Sequence, residues 1–252
     1  MNLSGDLGLG LVIGLALGLT GGGGSIITLP LLVYVVGEGV HPAIATSLAI
    51  VGAIAAQSAA AQRALVRWKM GAILGAFGLL GAVPGSLLSR LVPGNVLLML
   101  FAATMLVAAA AMFRGRGTSD SSALTPKPLI VVASGFGLGF LTGFLGVGGG
   151  FLIVPTLVFL LGVPMRNAIA TSLFVIALNS ASSLVAHASD GAIDWSIAAL
   201  FVIGGIAGNF AGVAIGKRLA QQHLKQIFAA FVMGVGLFVG ASASGVLPIH
   251  VK

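Results

Sequence analysis

Between Leu7 and Val36 no side chain carries a charge. The same holds for residues 42–62, 70–89, 91–113, 128–165, 167–186, 195–216 and 226–249. About 20 apolar residues suffice for a helix to cross the ~30 Å hydrocarbon core of a bilayer. Charged residues make up only 7% of the chain, against about 25% in a soluble domain, too few to solvate an outer surface. In lipid, every backbone group must be bonded internally, which leaves helices or a closed barrel. These runs are continuously apolar rather than alternating, so the sequence predicts an all-α integral membrane protein embedded in the lipid bilayer.

The first run is interrupted by Gly21, Gly22, Gly23 and Gly24, followed by Ser25. Each glycine costs roughly 1 kcal/mol relative to alanine inside a helix, so four in succession break it. A second break, at Gly146, Gly148, Gly149 and Gly150, lies 125 residues on. Shifting by that distance places residues 14–62 on 139–187 with 18 of 49 positions identical. Pro30 falls on Pro155, and Ala43–Leu48 on the identical Ala168–Leu173. A two-residue slip also aligns the only tryptophans, Trp68 and Trp195. The chain is therefore a duplication: a first transmembrane repeat at 1–114, a polar linker at 115–127 and a second repeat at 128–252.

Charge decides how the repeats are oriented. If each broken segment crossed once, basic residues would divide seven to five between the two sides. If each is instead a re-entrant hairpin followed by three crossings, ten fall on one side and only Arg90 and Lys252 on the other. That matches the excess of Lys and Arg in cytoplasmic loops. Four of the five acids (Asp6, Glu38, Asp190, Asp194) fall on the sparse side. The expectation is two inverted repeats of about four membrane helical segments each, the first of each a broken re-entrant hairpin. Both termini would be extracytoplasmic and the linker cytoplasmic. The net charge of +7 then reflects topology rather than nucleic-acid binding. Met1–Leu7 carries no basic residue and reads as a retained first segment rather than a cleaved signal.

Inverted repeats with interrupted helices near the bilayer midplane are a recurring transporter design. The first N–H groups of a helix lack intrahelical partners and carry the positive dipole end, which suits them to small anions. The expected substrate-binding residues are Gly21, Gly22, Gly23, Gly24 and Ser25 with Gly146, Gly148, Gly149 and Gly150. Thr46, Ser47, Thr171 and Ser172 follow in the next helices, with hydroxyls able either to bond substrate oxygens or to cap freed backbone. Gln57, Asn179 and Ser183 lie deeper. Gly14, Gly18, Gly139 and Gly143 read as close helix-packing positions, and the tryptophans as interface anchors. His187 reads as a solvated helix-end residue or a proton carrier. Nothing resembles a catalytic triad, a metal-ligand cluster or a nucleotide loop, and there is no cysteine. No enzyme activity and no cofactor are expected.

The G-x-x-x-G-x-x-G-x-G-G-[GS]-x-x-x-x-P signature occurs at 14–30 and again at 139–155, each copy followed by Ala-Thr-Ser. In this the chain resembles the TauE/SafE (TSUP) family of sulfite exporter-like permeases. The resemblance implies transport of sulfite or an organosulfonate, in the export direction, across the inner or plasma membrane. No ATP-binding motif occurs, so the expectation is a secondary transporter driven by an ion or substrate gradient, with a proton or sodium as the coupling ion. An anion channel built on the same helix dipoles is the alternative reading.

Overall fold

A computed structural model describes residues 3–38, 40–89, 91–114, 128–145, 150–187 and 193–243. Among these residues the chain is helical, with ten α-helices and no strand. The apolar runs become α1 (Leu3–Thr20), α2 (Gly23–Pro30), α3 (Val40–Ala61), α4 (Trp68–Ser89) and α5 (Gly94–Arg114). In the second half they become α6 (Pro128–Leu145), α7 (Gly150–Pro155), α8 (Met165–His187), α9 (Trp195–Arg218) and α10 (Gln221–Ala243). Three stretches are long and apolar enough to cross a membrane by length and composition: Trp68–Gly85, Trp195–Arg218 and Gln221–Ala241. Leu80, Val83, Val107 and Ile203 stand 61–69% exposed. An outer surface this apolar is stable against lipid and not against water.

Pro30 and Pro155 end α2 and α7, and each is followed by a π-helical turn, Leu31–Val36 and Thr156–Leu160. Proline has no N–H and its ring crowds the carbonyl four residues back, so the backbone beyond it widens. The sequence signalled a proline at both places but not the π geometry.

Glycines determine which helices meet. A Cβ on Gly14 would lie 1.8 Å from the Gly205 carbonyl oxygen, and one on Gly139 would lie 1.8 Å from that of Gly78. Gly10 and Gly18 abut Phe201 and Asn209, while Gly135 and Gly143 abut Leu74 and Ala82. Each half's first helix is thus laid, backbone on backbone, against the other half's fourth helix, α1 on α9 and α6 on α4. The pairs run in the same direction: Leu7, Leu11 and Leu15 meet Gly204, Gly208 and Gly212 in order. Helices α3 and α8 also pack across the halves, as do α5 and α10. In the latter pair Gly236 meets Met105 and Gly240 meets Ala102, so those two run oppositely. The core between them includes Ile13, Leu17, Ile50, Ile54, Phe151, Leu173, Phe201 and Phe228.

The charges sort by end. Arg166 bonds the last carbonyls of α9, Asn167 bonds Leu65 O, and Gln221 accepts from Met165 N. These bonds bring the loop after α3, the start of α8, the end of α9 and the start of α10 together. Arg63, Arg67, Lys69, Arg114, Arg166, Lys217, Arg218 and Lys225 all belong to segments at this end. Glu38 and Asp194 lie at the opposite end, joined through Thr46.

Candidate functional site

The first break turns the chain back on itself. Gly21 takes a left-handed conformation (φ +72°), open to glycine at little steric cost. Gly24 then lies against Leu17 and Ile13 O, residues that a straight helix would hold ~10–16 Å away. The hydroxyl of Thr20, the last residue of α1, accepts from Gly23 N at 2.9 Å and so caps α2. Ser25 Oγ donates to Gly22 O at 2.6 Å.

The two breaks meet. A Cβ on Gly22 would fall 2.2 Å from Gly150 O, and one on Gly150 would fall 2.7 Å from Ser25 Oγ. Gly21, Gly22, Gly23, Gly24 and Gly150 are all buried and Ser25 is half-buried. The backbones of the two halves are therefore in contact at their glycine segments, with no substrate-sized gap between Gly22 and Gly150. The expected site residues Gly146, Gly148 and Gly149, and the side chains of Ser183 and His187, lie outside the described residues.

The hydroxyls that follow each break hold backbone. Ser172 Oγ, fully buried, bonds both Gly21 O and Ile169 O at 2.8 Å, tying α8 to the first break. Thr171 Oγ1 accepts from Arg67 N at 3.0 Å, and Thr46 Oγ1 accepts from Asp194 N at 3.3 Å. These two bonds correspond under the sequence repeat: each half's threonine caps the loop that leads into the other half's fourth helix, α4 or α9. Ser47 is half-buried and also has a partner.

Three deeper amides have unmet polar atoms among the described residues: Gln57 Oε1, Asn179 Oδ1 and Asn209 Nδ2. Such atoms are uncommon in protein interiors. Asn179 lines a cavity of about 20 Å3 with Gly78, Gly139 and Thr142, room for about one water. Its counterpart in the first repeat is Ile54, which fills the equivalent space against Gly205. The amide at this position is thus present in one half only. Trp68 and Trp195 are exposed, Trp68 resting edge-on against Phe174 at 4.8 Å.

Two charged groups used in the sequence reading only for topology have specific surroundings. Arg166 faces a second, open pocket near the first break, shared with Gly18, Gln62 and Lys217. Glu38 Oε1 accepts from Thr46 Oγ1 at 2.8 Å, while Oε2 is buried without a partner among the described residues. Burial pushes the Glu38 carboxyl above its usual range; the Thr46 hydrogen bond opposes this and the Asp194 charge adds to it. A raised native value means that the folded state holds this proton more tightly than the unfolded chain. The associated stability is full below the usual carboxylate range and is lost as pH rises through the raised value. Replacing Glu38 by glutamine keeps an acceptor for Thr46 and removes the charge. Glu38→Gln should therefore raise the melting temperature more at pH 8 than at pH 4. Thermal scans at both values test this, and an equal difference at the two would refute it.

Residues 7–239 match the profile of the Sulfite exporter TauE/SafE family. A probable membrane transporter protein of Xylella fastidiosa (strain 9a5c) is 38% identical over 242 residues, covering 92% of this chain and 93% of the relative. One from Methanocaldococcus jannaschii is 25% identical over 92% of each chain. Another, YdhB of Bacillus subtilis, is 22% identical over 85% of this chain and 90% of its own. No solved structure matches significantly.

Proposed function

The chain belongs to the Sulfite exporter TauE/SafE family, and from that premise we propose that this membrane protein is a secondary transporter exporting a small sulfur-containing anion, sulfite or an organosulfonate. The observation that carries this reading is the backbone contact between the two glycine breaks, Gly22 against Gly150. Each break begins a short helix, whose start turns a positive dipole end and the N–H groups beyond the Thr20-capped Gly23 toward an anion. Such a site needs no charge buried at mid-depth, which would be costly.

In this reading the halves are inverted repeats, and the two glycine segments are tips of re-entrant hairpins entering from opposite leaflets. The grouping of the basic residues Arg63 to Lys225 at one end supports placing that end in the cytoplasm, with the termini outside the inner or plasma membrane. The tips part to admit the anion against Gly21–Ser25, Gly146, Gly148–Gly150 and Ser172. Asn179, Gln57 and Ser183 line the approach. Thr46, Ser47 and Thr171 hold the surrounding loops and helices. A proton or sodium gradient supplies the energy.

The pairing of helices bears on what moves. Helix α1 is locked to α9, and α6 to α4. The bodies that rock are then α1–α3 with α9 and α6–α8 with α4, each containing helices from both sequence repeats. Alternating access between such bodies follows the general transporter pattern.

Proteoliposomes loaded with sulfite should show saturable efflux, accelerated by sulfite on the far side. Flux at channel rates without such counterflow would support the anion-channel alternative and reject this reading.

A further inference from the structure

Arg166 lies in the first turn of α8, and its guanidinium is held by the end of a different helix. Nη2 donates to Lys217 O at 2.9 Å and to Leu219 O at 3.0 Å. These carbonyls sit at the negative end of the α9 dipole, which attracts and orients a cation. The rest of the group is not used in this way: Nε is buried and has no partner among the described residues. A buried charged donor without an acceptor is costly.

The pocket beside it is open to the outside and narrows to about 20 Å3, the same as the Asn179 cavity, so an ion would sit at its mouth. Arg166, Lys217 and Gln62 line it together with Gly18 and Ile169. The last two connect it to the first glycine break: a Cβ on Gly21 would lie 2.8 Å from Ile169 Cα. The pocket thus joins the basic end of the protein to the break. No acidic residue lies at this end among the described residues. Position 166 corresponds to His41 in the first repeat, so the arginine is not duplicated at the other end.

We propose that Arg166 and Lys217 form an anion-binding vestibule, in which a small oxyanion is held at the pocket mouth by the Arg166 guanidinium and the Lys217 ammonium before it reaches the glycine breaks. This rests on the anion-transport reading and adds to it the residue that first recognises the ligand. Guanidinium groups pair well with oxyanions because several N–H donors are fixed in one plane. Lys217 contributes charge and Gln62 an amide. Asymmetry of this kind raises affinity on the basic side; it does not set the direction of net transport, which the gradients determine.

The test uses the full-length protein in proteoliposomes and in detergent, with sulfite and sulfate as probes. Arg166→Gln should weaken binding, read by ligand-induced thermal shift, by roughly tenfold to a hundredfold. It should raise KM measured from the basic side more than it lowers kcat. Arg166→Lys should fall between the two, since it keeps the charge but not the planar fork. Arg63→Gln, a change at the same end outside the pocket, should match the wild type. Wild-type affinity in Arg166→Gln would overturn the vestibule and leave the transport reading standing. Absence of binding and of flux in the wild type would overturn both. If Arg166→Gln does not fold, phenylglyoxal labelling of the wild type decides. Protection of Arg166 by sulfite supports the proposal, and equal labelling with and without sulfite overturns it.

Discussion

Replacing Gly14 by alanine should lower the melting temperature by about 5–10 °C, and replacing it by leucine should leave little monodisperse protein after extraction. The added Cβ would meet the Gly205 carbonyl oxygen at 1.8 Å, its carbon at 2.6 Å and its Cα at 2.7 Å. All three are backbone atoms, so no rotamer change relieves the clash and the two helices must separate. Separation at Gly14 also loosens the contacts of Gly10, Gly18, Gly204, Gly208 and Gly212 along the same crossing. Between helices in lipid there is little hydrophobic driving force to compensate, and close van der Waals packing carries the association. Overpacking of this kind costs about 1–3 kcal/mol, and 1 kcal/mol corresponds to about 2–4 °C in a chain of 150–250 residues. Gly8, on the same helix, is the control: nothing lies within 4 Å of its Cβ position, and alanine there should be neutral or gain up to ~1 kcal/mol of helix propensity. Gly139→Ala should behave like Gly14→Ala, and Gly137→Ala like Gly8→Ala, since Gly139 meets Gly78 O at 1.8 Å and Gly137 has open space. Melting curves of the four variants test the whole pattern. Equal melting temperatures for Gly8→Ala and Gly14→Ala would show that these helices do not cross as described.

This pattern also marks how far the sequence could be read. Long charge-free runs predicted the helices, and the ends of several agree within a few residues: 42–62 became Val40–Ala61, and 195–216 became Trp195–Arg218. Gly14, Gly18, Gly139 and Gly143 read as packing positions because small residues recur where helix backbones approach. What the glycines touch was not readable. A stripe of small residues states that something comes close, and only the fold reveals that α1 meets α9, some 190 residues away. The hydroxyls were open for the same reason. Whether Thr46 and Thr171 face a ligand or a peptide N–H depends on loops 148 and 104 residues distant. Arg166 contributed only to the charge count, because its role depends on where α9 ends. The pairing of Arg166 with His41, a fixed cation against a titratable ring, was the one signal that could have singled it out.

Gly22→Ala should reduce transport roughly tenfold to a hundredfold while leaving the protein folded. Gly22 has φ −161°, outside the left-handed region, so positive-φ strain plays no part. The effect comes from the contact alone: a Cβ would lie 2.2 Å from Gly150 O and 2.6 Å from its carbon. Both are main-chain atoms of the opposing break, so the two glycine segments could approach only if one helix start moved away. If closure of the breaks is a step of the transport cycle, the cost of about 1–3 kcal/mol falls on the closed state. Each 1.36 kcal/mol on a rate-limiting step is tenfold. In the proposed cycle the open states do not carry this contact, so the protein should still fold with the breaks apart, and anion binding from the basic side should persist. Gly21→Ala is a different perturbation, because φ +72° strains any L side chain and Ser172 Oγ stands 2.7 Å from its Cβ position; it should impair folding as well as flux. Efflux from proteoliposomes, measured beside the melting temperature and the sulfite-induced thermal shift, separates these outcomes. A Gly22→Ala protein with wild-type efflux would show that transport does not require Gly22 and Gly150 to close against each other.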